Sequence, residues 1–182
     1  SRPFKQIIAE ELQGLMESWG SHKEPPEVVK LVQLLSHEDF GTVRMGAMLA
    51  HSSAEAEKHL GHIMGFIHED ALINKKIGGW LNQLAPNRDI WASPLSRHPS
   101  GGYVFKINGM WPNNFNGMRV SLIQWHSNQF KITAHTTEVD LFSDSPPHPK
   151  YYDDLAASFP FTPQGWVDAI EHIANIYNEG NK

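Results

Sequence analysis

The 182-residue chain contains no cysteine. That absence removes disulfide scaffolds, thiol nucleophiles, cysteine-ligated zinc and iron–sulfur clusters together. Any metal has to sit on His, Asp and Glu. No run approaches the roughly 18 apolar residues that span a bilayer, and the opening Ser1-Arg2-Pro3-Phe4 carries no apolar leader. The expectation is a soluble, intracellular, cytoplasmic protein. Positive charge is also scarce: Lys and Arg total 15 against 20 for Asp and Glu, a net charge of -5. This argues against a duplex-DNA binder that relies on overall charge. The Gly-x-Ser-x-Gly elbow of serine hydrolases does not occur. Gly78-Gly79 and Gly101-Gly102 lack the flanking glycines and lysine of phosphate-binding and dinucleotide loops. Nucleotide use is unsupported, and no cofactor is expected.

What is present is an apolar fraction of 40% in a 20.6 kDa chain, together with six Trp and eleven His. A chain of this size buries about 70% of its unfolded surface in one core. Phe4, Ile7, Ile8, Leu12, Leu15, Met16 and Trp19 recur at helical spacing, with Pro3 ahead of them and Gly20 behind. Pro25-Pro26 opens a second helix that ends near Ser36. From Ser36 to His51 two readings compete: a helix started by Ser36 with Asp39, or a short strand over Thr42-Val43-Arg44-Met45. Ser52 followed by Glu55 has the spacing of a capping box. The helix it opens carries an apolar stripe of Ala56, Leu60, Ile63, Met64 and Ile67. Another helical pattern runs from Leu72 to Leu84, weakened by Gly78-Gly79 at about 1 kcal/mol per glycine.

Beyond Ala85-Pro86-Asn87 the period changes from helical to alternating. Residues 103–108, 118–126 and 129–137 read as antiparallel strands, separated by turns at Asn108-Gly109, Asn116-Gly117 and Ser127-Asn128. A two-residue loop at Ser127-Asn128 pairs Trp125 with Phe130 and Ile123 with Ile132, all on the core face. The wet face then holds Gln124, His126, Gln129, Lys131, Thr133 and His135. Residues 143–161 form a Pro-rich strap, and Thr162-Pro163 caps a last helix carrying Trp166, Ile170, Ile173 and Tyr177. The fold class is α+β in one domain of N-terminal helices, a three- to four-stranded antiparallel meander and a closing C-terminal helix. Residues 1–85 are its mainly helical part, 86–142 the sheet and 143–182 the strap with the last helix.

Several constellations could carry chemistry. His59 and His62, with Glu69 further along, could hold an ion on one helix edge, but a solvated polar face with Glu55 serving the cap explains the same residues. No metal is expected. A hydrolase or phosphoesterase could set two His-x-Thr/Ser units on facing strands. His135 and Thr137 share a strand face as that requires, whereas His51-Ser52-Ser53 falls at a helix start.

The charge distribution is more informative. Between residues 85 and 135 the basic residues Arg88, Arg97, Lys106, Arg119 and Lys131 oppose the one acid Asp89, so this segment carries +4. Aromatic residues are interleaved with them, a mixture suited to stacking bases. Residues 108–117, read as a loop, carry Met110, Trp111 and Phe115, side chains common at interface anchors. The functional expectation is a regulatory or binding protein. It recognises a macromolecular partner, a protein first and nucleic acid second, through Met110, Trp111 and Phe115 and the basic sheet face of Lys106, Arg119 and Lys131. The alternative is the hydrolase of His135, Thr137 and His51.

Overall fold

Pro25 and Pro26 fix the backbone at the start of the first helix in the computed structural model, which describes residues 24–112, 114–125 and 128–179, without the side chains of Phe115 and Trp125. The helix expected over Phe4 to Trp19 lies outside these residues. α1 (Pro26–Leu35) buries Val28, Val29, Leu31, Val32 and Leu35. The ambiguous stretch resolves as helix, α2 (Phe40–His51), because Asp39 rather than Ser36 caps it: the Asp39 carboxylate accepts from Thr42 N at 3.0 Å. Ser36 instead donates to Val32 O and closes α1.

The capping box also shifts by one residue. Ser52 ends α2, and Ser53 accepts from Ala56 N at 3.1 Å to start α3 (Ala54–Lys58). A break at His59 leads into α4 (Leu60–Glu69), whose Ile63, Met64 and Ile67 are fully buried with Ala56 of α3, as the stripe predicts, while Leu60, next to the break, is only half-buried. α5 (Ile73–Leu84) buries Ile73, Ile77, Gly78, Trp80 and Leu81.

Among the described residues the sheet has seven antiparallel strands: β1 (Trp91–Ala92), β2 (Ser96–Arg97), β3 (Tyr103–Trp111), β4 (Asn114–Trp125), β5 (Gln129–Glu138), β6 (His148–Tyr151) and β7 (Ala157–Pro160). β3, β4 and β5 are the expected meander, and the short strands flank it. β2 and β1 pair with successive parts of β3, while β7 and β6 pair with successive parts of β5. Between the short strands, Ser93 bonds Lys106 through both backbone groups of the latter, and Tyr152 N donates to Ala134 O. The Pro-rich strap is thus stitched to β5 at both ends.

The β4–β5 register corrects the pairing inferred from a two-residue loop. Phe130 faces Gln124 and Ile132 faces Leu122, because the connection between the strands has one residue more. Side chains alternate along a strand, so one residue of slip reverses β4. Met118, Val120, Leu122 and Gln124 face the helices, and Ile123 faces away. Phe130 and Ile132 keep their core positions.

The run over residues 108–117 is likewise not a loop. β3 and β4 continue through it as a hairpin, with a register shift between Gly109 and Trp111. Gly117 has φ +77°, and a Cβ there would lie 2.5 Å from Gly109 O, so this hairpin needs glycine. α6 (Pro163–Glu179) lies across the helix-facing side of the sheet. Thr162 Oγ1 caps it, and Gly165 sits so close to the end of β7 that a Cβ would fall 1.8 Å from Pro160 O. Trp166, Ile170, Ile173 and Tyr177 of α6 join Phe105, Ile107, Val120, Leu122, Phe130 and Ile132 in one buried cluster with α4 and α5. No helix among the described residues is long and apolar enough to cross a membrane.

Candidate functional site

Among the described residues the helices that contact the sheet lie on one side of it, so the opposite side forms a second face, open at Lys106, Arg119 and Lys131 but covered at Val104 and Ile123, which are buried. Cross-strand pairing places Trp91, Asn108, Arg119, His135 and Tyr151 in one row over five strands, each directly opposite the next. Directly opposed residues point to the same side, so this row runs across the open face, about 19 Å at the usual strand spacing. A second row is Lys106, Ser121 and Thr133, and a third is Val104, Ile123 and Lys131. Lys106, Arg119 and Lys131 are exposed, as are Trp91 and Tyr151 at the two ends of the first row. Among the described residues Glu138 is the one acid in any strand, and its position in β5 directs it to the helix side. Among the described residues the strands therefore direct three cations and no carboxylate to the open face, with the exposed Asp89 standing at its Trp91 end.

His135 sits in the middle of the row, its ring 5.3 Å from that of Tyr151. Partial burial, and secondarily the Arg119 guanidinium opposite, push its pKa below the ordinary histidine value. Near neutral pH it is an uncharged ring beside a cation. Where the row ends at Trp91, Asn108 and Met110 adjoin a depression of about 690 Å³ bounded by Asp89 and the tip of the β3–β4 hairpin.

The residues singled out in the sequence fall into three groups. Lys106, Arg119 and Lys131 project from the open face, while Met110, also exposed, lies at the hairpin end beside the depression near Trp91. Trp111 turns the other way: its indole donates to Ile176 O at 3.1 Å and meets the Tyr152 ring edge-on at 5.5 Å, closing the core at the end of α6. The side chain of Phe115 lies outside the description. His135 and Thr137 do share the open face, but His51 ends α2 in the helical layer. The sheet separates it from them, so the two-histidine arrangement is not assembled.

For metal, His59 and His62 do come together, but the carboxylate beside them is Glu24; Glu69, at the far end of α4, is not part of the group. Whereas Trp91 counted in the sequence reading among the aromatics interleaved with the basic residues, Tyr151 and Glu24 are the positions it passed over. Each reaches its neighbours only through long-range pairing or packing that no local spacing announces.

Comparison with family models, curated proteins and solved structures finds no match to this chain.

Proposed function

We propose that the chain is a binding protein whose open sheet face takes single-stranded nucleic acid. The observation that carries this reading is the five-strand row of Trp91, Asn108, Arg119, His135 and Tyr151, flanked by Lys106 and Lys131 on a face to which no described strand residue brings a carboxylate. An extended polyanion matches it in charge and shape. Phosphates meet Lys106, Arg119 and Lys131, and bases stack on the exposed rings at either end. The net charge of -5 leaves the remaining surface repulsive to a long duplex. A protein partner was the first expectation while Trp111 counted as an anchor. With Trp111 turned into the core, the cations carry the weight.

The test is fluorescence anisotropy of a labelled oligo(dT) or oligo(rU) of about 12 nucleotides, with a duplex of equal length as comparison, in about 50 to 200 mM salt. Three phosphate contacts give a slope near -2 in log affinity against log salt for a single strand, at about 0.7 per contact. Replacing Lys106, Arg119 and Lys131 together with Gln abolishes binding and leaves the fold intact. Replacing Trp91 or Tyr151 with Ala costs about 1 to 3 kcal/mol each. No binding at low salt, or binding indifferent to the triple replacement, would overturn the reading and return a protein partner to first place.

A further inference from the structure

We propose that Glu24, His59 and His62 form a binding site for a divalent transition-metal ion of the zinc type. The site is remote in kind from the sheet face and rests on different observations. It begins with the break between α3 and α4. His59 ends one helix and starts the next, and His62 follows three residues later, so both rings project to the same side with their centroids 6.0 Å apart. Glu24, two residues ahead of α1, supplies the third group. Its Oε1 lies 3.1 Å from His62 Nδ1 and its Oε2 lies 3.9 Å from His59 Nδ1. One ligand atom from each of the three falls within 4.8 Å of the others. Tetrahedral zinc, with bonds of about 2.0 to 2.2 Å, holds its donors roughly 3.3 to 3.6 Å apart. Small side-chain adjustments close the site.

Two features distinguish this group from a polar surface. The Glu24 side chain is only 10% exposed, and its ion-pair partners among the described residues are the two imidazoles. A carboxylate so withdrawn from water needs a compensating positive charge, and a dication supplies it. The second feature is Glu55, whose Oε1 lies 3.3 Å from His59 Nε2. A carboxylate this near the outer nitrogen is placed to receive its N–H when Nδ1 takes a metal, the usual outer support of zinc-bound imidazole. Two imidazoles and one carboxylate favour zinc-like ions over calcium or magnesium, which take oxygen donors. His62 is 67% exposed, so a fourth position would open to solvent and take water.

The experiment uses the full chain, treated with chelator and desalted, titrated with zinc chloride by calorimetry and followed by thermal melting. One zinc ion per chain and a rise in melting temperature with zinc are expected. Exposed His62→Gln should fold as the parent does and lose at least about a hundredfold in affinity, and Glu24→Gln should do the same. Glu55→Gln should weaken binding by about 10 to 100-fold, whereas His148→Gln, at β6, should leave it unchanged. Absence of saturable zinc binding would overturn the proposal. So would equal affinity in the parent and His62→Gln, which would place the ion on other histidines.

Discussion

Replacing His68 with Phe should make the protein less sensitive to acid. His68 lies on α4 under the sheet, surrounded by the rings of Phe105, Phe130, Phe161 and Trp166 at centroid distances of 5.9, 6.1, 5.7 and 5.2 Å. Its Nδ1 is 2.7 Å from Met64 O and donates there; its Nε2 is buried without a partner. Burial lowers its pKa, outweighing the opposing effect of the Met64 carbonyl. The folded chain keeps the ring neutral to a lower pH than the unfolded chain, where it titrates near 6.5. Below that value the unfolded state binds the extra proton, and stability falls with falling pH until the folded ring also protonates. One proton sets a ceiling of about 1.4 kcal/mol per pH unit, so roughly 2 kcal/mol between pH 6.5 and pH 5. In His68→Phe that loss disappears. At pH 7.5 the variant gives up the bond to Met64 and sheds an unpaired buried nitrogen, two effects of about 1 kcal/mol each that largely offset. Urea denaturation of parent and variant at pH 7.5, 6.5, 5.75 and 5 measures the difference. Equal slopes in the two proteins below pH 6.5 would refute the reasoning.

Trp111→Ala should cost about 2 to 3 kcal/mol in chemical denaturation, since the half-buried indole gives up its bond to Ile176 O and its contact with Tyr152. A stable variant that had lost only binding would restore Trp111 as an interface anchor. His135, whose pKa lies below its ordinary value, is neutral above pH 6.5 and gains charge only as the pH falls beneath it. Binding of a labelled single strand should therefore tighten on acidification in the parent and lose that extra dependence in His135→Asn, as read by anisotropy between pH 7.5 and 5.5.

α1, α4 and α5 follow from their periodicity because a 3.6-residue stripe is local, whereas α2 stayed open between helix and strand; of the stripe Ala56, Leu60, Ile63, Met64 and Ile67, all but the half-buried Leu60 are buried. Their ends are less legible. Ser52 and Ser53 are equivalent by composition, and only the direction of α2 decides which hydroxyl meets the Ala56 amide. Strand register depends on loop length, so one residue more between β4 and β5 turned Leu122 rather than Ile123 toward the helices, with Ile123 still buried on the other side, while leaving Phe130 in place. The concentration of positive charge between residues 85 and 135 did mark Lys106, Arg119 and Lys131, because these residues alternate on strands that pair with each other. Glu24 could not be found the same way, since it meets His59 and His62 across more than thirty residues of intervening chain.

The outer flanks of β3 and β5 are each occupied by two short strands and the segment between them, so the long strands offer no free run of backbone donors and acceptors. What remains at the margin are strands of two and four residues, too short to template a neighbour. The sheet is thereby guarded against joining other copies edge to edge, the route by which open sheets grow into fibrils. It also means that recognition has to be written in side chains. Affinity and sequence preference can then be retuned by exchanging residues on the open face, while the hydrogen-bonded frame beneath them stays as it is.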